Sequence, residues 1–221
     1  MTRYNIFIFT TFLFISSLSA ATLTFTDSVP LQTTNFNALL NISKFDPSLG
    51  TLNSVKITLL GNIEGDVRLE SLDAQPSTIT WELKAELKLL KPDTSTILID
   101  IPLVSGSFNA AAFDGTIDFG GLSGMTLDDL TGTKTESITY TTPADKLLFI
   151  GVGSLSLSLN AKGMSTASGA GNLLTQFNVA AGASLEVIYD YNPIEQNPVP
   201  EPMNLLLLSL GLLALGFKMR K

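Results

Sequence analysis

The 221-residue chain carries 13 Lys and Arg against 20 Asp and Glu, a formal net charge of −7, and contains neither cysteine nor histidine. Without cysteine there is no disulfide framework, thiol nucleophile or lipid-modified cysteine; without histidine there is no His-based zinc site and no Ser-His-Asp triad. The expectation is a non-enzymatic protein without a resident cofactor, and its acidity argues against nucleic acid as a partner, because phosphate backbones are repelled.

Residues 1–21 have the three parts of a secretory signal peptide. Arg3 supplies the positive start, Ile6 to Ile15 an apolar run broken by Thr10 and Thr11, and Ser16 to Ala21 a small-residue stretch interrupted by Leu18. Cleavage after Ala21 puts Ser19 and Ala21 at the two small-residue positions. The apolar run is short for a lasting membrane span.

The middle of the chain, residues 22–192, reads as one mostly-β domain. Thr22 to Thr26 alternates apolar and polar, as do Val55, Ile57 and Leu59 around Lys56 and Thr58. Trp81 to Leu90 fits both a strand and a helical stripe; the β-branched lead-in Thr78-Ile79-Thr80 and the apolar odd positions favour a strand. Ser154 to Leu159 alternates strictly, and Leu185, Val187, Tyr189 and Tyr191 mark a last strand. Turns are predicted at Asp46-Pro47 with Gly50, Gly61-Asn62, Gly65-Asp66, Asp114-Gly115, Gly120-Gly121 and Gly163. Ser165 to Gly171 is nearly all small residues and reads as a loop. Many short strands without a long helical stripe predict a β-sandwich or jelly-roll-like single domain.

After a linker at 193–198, Val199-Pro200-Glu201-Pro202 leads directly into the apolar segment 203–217 and the basic residues Lys218, Arg220 and Lys221. The apolar segment has 15 residues, about 22 Å of helix against a hydrocarbon core of about 30 Å, so it is a weak transmembrane span. The basic end keeps that side cytoplasmic and leaves the domain outside.

This tail, residues 199–221, resembles the PEP-CTERM sorting signal of Gram-negative bacteria that make exopolysaccharide. The resemblance implies recognition by exosortase, a transpeptidase-like membrane protease, with transient inner-membrane anchoring followed by release to the cell surface or matrix. The domain itself resembles the bacterial choice-of-anchor E type through FDPSLGTLNSV at Phe45 to Val55, FDGTIDFGGLSG at Phe113 to Gly124, GNL at Gly171 to Leu173 and YDY at Tyr189 to Tyr191. That family brings no catalytic residues to transfer.

Asp114, Asp118, Asp128 and Asp129 are the densest carboxylate grouping and lie among glycines, which makes them weak candidates for a loop Ca²⁺ site. They lack the ligand spacing and terminal Glu of an EF-hand, and Asp before Gly is ordinary turn chemistry. A glycosidase pair would need two carboxyls across a cleft lined by aromatics, for which one Trp and four Tyr are few. Gly151-Val152-Gly153 lacks the third glycine and following helix of a dinucleotide loop. Asn41-Ile42-Ser43 matches a glycosylation pattern that carries little weight in a bacterial chain. The functional expectation is an exported, exosortase-processed surface or exopolysaccharide-matrix protein with a structural or adhesive role. The alternative is a module binding carbohydrate or a surface partner, with Ca²⁺ assistance as an option.

Overall fold

The computed structural model describes residues 20–194. Residues 1–19 of the expected signal peptide, the Val199–Pro202 motif, the 203–217 segment and Lys218, Arg220 and Lys221 lie outside the described residues, within which no helix is long and apolar enough to cross a membrane. Ten strands make up most of this region: β1 Ala21–Thr33, β2 Phe36–Ser43, β3 Gly50–Ser71, β4 Ser77–Leu90, β5 Thr96–Asp100, β6 Leu103–Ala110, β7 Gly124–Tyr140, β8 Ser154–Gly163, β9 Thr166–Ser168 and β10 Leu173–Pro193. One four-residue helix, α1 Pro143–Lys146, is capped by Thr142 and sends the Lys146 ammonium to the carbonyls of Leu52 and Asn53 at 2.8 and 3.0 Å.

The strands form two antiparallel sheets, β1-β10-β3-β7 and β2-β8-β4-β5, with β6 and β9 extending opposite sides of β4 in the second. Pairings are nested: β1 with β10, β2 with β8, β3 with β7, and β4 with β5 and β6. A period-two strand has one apolar face, and the two sheets bury theirs against each other. From the first sheet come Val55, Ile57, Leu59, Val67, Leu185, Val187 and Tyr189; from the second Leu83, Leu87, Leu89, Leu157 and Leu159, all at most 1% exposed. Each such side chain contributes roughly 1.5–3 kcal/mol of burial, which is why the strictly alternating segments became strands whatever their local propensity.

The strand reading of Trp81 to Leu90 holds: β4 buries the odd positions from Ile79 to Leu89 and turns Glu82, Lys84, Glu86 and Lys88 outward. There Lys84 pairs with Glu82, and Lys88 with Glu86 at 3.2 Å. The Asp46-Pro47 turn also holds, as a 3₁₀ turn at Pro47–Leu49 in which Asp46 accepts from the Ser48 amide at 2.8 Å.

Three sequence expectations are corrected. Gly61-Asn62 and Gly65-Asp66 are not turns but interior positions of the 22-residue β3. Both glycines are there for close approach: an added Cβ would stand 2.6 Å from Asp100 Oδ2 at Gly61 and 1.9 Å from the Asn178 carbonyl oxygen at Gly65. Ser165 to Gly171 is not wholly a loop, because Thr166–Ser168 forms β9 against Thr80–Glu82 of β4. Asp128 and Asp129 sit within strand β7 rather than on a turn.

Candidate functional site

Ala21 pairs with Tyr191, so the first and last strands begin and end side by side at one end of the sandwich. The opposite end is built from the segments around Asp73, 111–123 and 169–172, and carboxylates organise it. Asp73 accepts from the amides of Gly171 and Asn172 at 2.6 and 2.8 Å, while its carbonyl accepts from the Phe113 amide at 2.9 Å. Glu70 is fully buried under the 113–124 segment. Its Oε2 accepts from the Phe119 amide and its Oε1 from the Ser123 hydroxyl, both at 2.7 Å. Phe119 has φ +54, a left-handed conformation uncommon outside glycine, and the Glu70 bond holds it there.

The four aspartates singled out from the sequence are all exposed, and each stands in its own local arrangement. Asp114 accepts from the Thr116 amide at 3.0 Å and Asp118 from the Gly120 amide at 2.8 Å, the ordinary geometry of an Asp closing a turn two residues on. Asp128 and Asp129 lie at a bulge in β7 where two residues face Asp66 of β3, and Asp129 has φ +56. The Asp129 amide donates to Asp66 Oδ1 at 3.3 Å. Among the described residues no group of three or more carboxylates is placed to hold a metal ion.

Sequence reasoning missed Glu70 because it falls on the solvent-facing period of β3, after Glu64, Asp66 and Arg68. It is buried only because 113–124 folds across that face. The available signal was the glycine-rich FDGTIDFGGLSG, a segment able to aim several amides at one carboxylate.

A second feature is the outward face of the β1-β10-β3-β7 sheet. A depression of about 660 Å³ is lined by Thr26, Ser28, Thr58, Leu60, Thr135, Ser184 and Glu186, contributed by all four strands. Two smaller ones of about 290 Å³ follow along β3 and β10, one at Thr33, Glu64, Asp66, Asp129 and Asn178, the next at Asp66, Arg68, Gln176 and Asn178. On the second sheet a depression of about 520 Å³ is lined by Thr80, Glu82, Ser105, Ser107, Thr166 and Ser168. Trp81 lies beneath it, packed over Gly106, where an added Cβ would stand 2.6 Å from the indole. Asn41 of the Asn41-Ile42-Ser43 pattern lies on β2, where its side-chain oxygen accepts from the Ser156 hydroxyl at 2.6 Å.

Set against known protein families and curated proteins, the chain matches none. Among solved structures it is similar to that of infectious bursal disease virus, Gx strain, with 10% identity and a TM-score of 0.20. It is also similar to the VP2 subviral particle of infectious bursal disease virus, with 11% identity and a TM-score of 0.23. Each likeness covers 80% of this chain and 37% of the other, so the chain spans just over a third of the solved chains it resembles. Likeness this distant has no bearing on what the chain does.

Proposed function

We propose that this is an exported, exosortase-processed protein of the cell surface or exopolysaccharide matrix with a structural or adhesive role, built on a jelly-roll domain of the choice-of-anchor E type. The nested pairing of β1 with β10, β2 with β8, β3 with β7 and β4 with β5 is that of one long hairpin rolled into two sheets, which supports the jelly-roll reading. The observation that carries the functional reading is the pairing of Thr22, the first residue after the expected cleavage, with Asp190. The expected signal peptide ends at Ala21 and the expected sorting tail follows the 193–198 linker, so on this reading both membrane-directed segments leave from one end of the domain. A domain held at that end during sorting presents its opposite, carboxylate-organised end to the exterior.

The supporting sequence features are the Val199-Pro200-Glu201-Pro202 motif, the apolar 203–217 segment and Lys218, Arg220 and Lys221. The test is intact mass and cell fractionation in the native host, wild type beside Glu201→Ala. The expected result is a wild type outside the inner membrane lacking residues beyond roughly 198–202, and a variant that keeps its C-terminus and stays membrane-bound. Retention of Lys221 in the inner membrane by both proteins overturns the proposal and leaves a plain tail anchor. A role in binding carbohydrate is the second reading, favoured by the hydroxyl-lined depressions on the outer faces of the sheets.

A further inference from the structure

The three depressions on the outward face of the first sheet lie in register along one strand pair. They run from Thr58 opposite Glu186 to Arg68 opposite Gln176. Ten residues of strand at about 3.3 Å each give a run of roughly 33 Å. The β1 bulge between Val29 and Gln32 leans over Gly182, where an added Cβ would meet Leu31 N and Val29 O at 3.0 Å, and so forms a ridge on one side between the first two depressions.

We infer that this face is a binding trough for a linear polycationic polysaccharide, a polymer whose sugars carry free amino groups. Three observations select that occupant. Glu186, Glu64, Asp66 and Asp129 supply carboxylates along the trough, and the basic side chains Lys56 and Arg68 stand only at its two ends. Glu186 stands at one end of the run and Glu64, Asp66 and Asp129 at the other, six strand residues or roughly 20 Å away, so a polymer with ammonium groups along its length reaches both sets with charge-assisted hydrogen bonds, whereas a neutral or anionic polymer brings no cation to either. Between the acids lie the short hydroxyls and amides of Thr26, Ser28, Thr58, Ser184 and Asn178, which suit sugar hydroxyls, and the exposed Leu60 offers a small apolar platform to a ring face.

The third observation separates a glycan from a basic peptide. β3 and β10 are interior strands, each hydrogen-bonded on both sides, so the trough floor has no free strand edge for an extended peptide to join. Recognition here runs through side chains alone, and those side chains are hydroxyl, amide and carboxylate. Glu64 and Glu186 make no side-chain hydrogen bond or ion pair with another described residue and remain available to a ligand, whereas Asp27 beside them is engaged by the amides of Ser28 and Asn41 at 2.8 and 2.6 Å.

This inference deepens the carbohydrate-binding reading, and its test does not depend on sorting. The full chain in non-ionic detergent is titrated calorimetrically at about pH 5.5, low enough for most glucosamine amines, which are less basic than a lysine amine, to be protonated. The probes are a β-1,4-linked glucosamine hexamer, its fully N-acetylated counterpart and hexalysine. The glucosamine hexamer is expected to bind at least about tenfold more tightly than either other probe, and the Glu64→Gln/Glu186→Gln double variant to lose about tenfold or more of that affinity. Glu86→Gln/Glu136→Gln removes two charges that line none of these depressions and is expected to bind as wild type does.

No binding of the glucosamine hexamer overturns the inference. So does equal loss in both double variants, which would mean general attraction to an acidic protein. Hexalysine binding as tightly, with the same dependence on Glu64 and Glu186, would assign the trough to a basic peptide instead. None of these results alters the mass and location test of the sorting tail, so the two proposals fail separately.

Discussion

Asp100, the last residue of β5, places its Oδ2 2.8 Å from the amide nitrogen of Gly61 in β3, so a carboxylate from one sheet accepts a backbone hydrogen bond from the other. The side chain is fully buried, and Oδ1 has no partner among the described residues. Burial pushes the Asp100 carboxyl above the ordinary 3.8; the Gly61 bond and the charge of Lys134 pull it back, and Glu136 adds to the rise. Lys134 and Glu136 pair with each other at 2.9 Å on the inward period of β7.

A raised carboxyl pKa in the folded protein means that folding favours the protonated form. Stability contributed by that preference is complete below the unfolded value near 3.8 and is lost as pH rises through the folded value. Asp100→Asn keeps an oxygen acceptor for Gly61 and removes the buried charge. It is expected to be more stable than wild type at about pH 7, with the difference closing as pH falls toward 4. Urea denaturation across that range checks it, and a variant less stable than wild type at neutral pH would show that the charge is favourable where it stands.

Glu70 supports a different prediction, because its partners would be left behind. Glu70→Ala strands the Phe119 amide and the Ser123 hydroxyl beneath the 113–124 segment, with an expected cost of about 2–4 kcal/mol. Glu70→Gln retains one carbonyl acceptor and is expected to fall between the two. Hydrogen exchange provides the local readout: protection should drop at Phe119 and through 111–124 in Glu70→Ala, while the amides of β10 keep theirs. Uniform loss of protection across both sheets would place Glu70 in global stability rather than in ordering this segment.

Alternation is sufficient to read the strands at Ser154 to Leu159 and Leu185 to Tyr191, and at Trp81 to Leu90 it needs the β-branched lead-in Thr78-Ile79-Thr80 to outweigh the helical stripe; in each, the apolar side chains on the inward period have only the opposite sheet to bury them. What alternation cannot carry is the partner. Nested pairing joins β1 to β10 across most of the chain, and no local signal in Thr22 to Thr26 points to Tyr189. Among the acidic candidates, the placement of Asp128 and Asp129 escaped the sequence for a related reason. Asp114 and Asp118 do close turns as their neighbouring glycines suggest, but Asp128 and Asp129 were drawn into β7 by its long ladder with β3, with the surplus residue absorbed as a bulge opposite Asp66. Glu64 and Glu186, on which the trough depends, look in sequence like any solvated strand position; only the register of β10 on β3 sets them along one line.

The two glycines misread as turns give the sharpest contrast in what a single methyl group would meet. At Gly65 the obstacle is main chain: an added Cβ would lie 1.9 Å from the Asn178 carbonyl oxygen and 2.9 Å from its carbon, in the neighbouring strand β10. Relief requires β3 and β10 to part, so Gly65→Ala is expected to cost about 3 kcal/mol or more, at the severe end of overpacking. At Gly61 the obstacles are side-chain ends, Asp100 Oδ2 and Leu87 Cδ1, both at 2.6 Å, which can rotate away. Gly61→Ala is therefore expected to cost less, about 1–2 kcal/mol, and to be partly rescued in Gly61→Ala/Asp100→Ala, where the clashing carboxylate is gone. Thermal denaturation of five proteins, wild type, Gly65→Ala, Gly61→Ala, Asp100→Ala and the double variant, gives the ranking and the coupling. Full additivity of Gly61→Ala and Asp100→Ala, or a smaller loss for Gly65→Ala than for Gly61→Ala, would mean that the sheets adjust around these positions by another route, and that the two glycines are not kept for the close approaches they make.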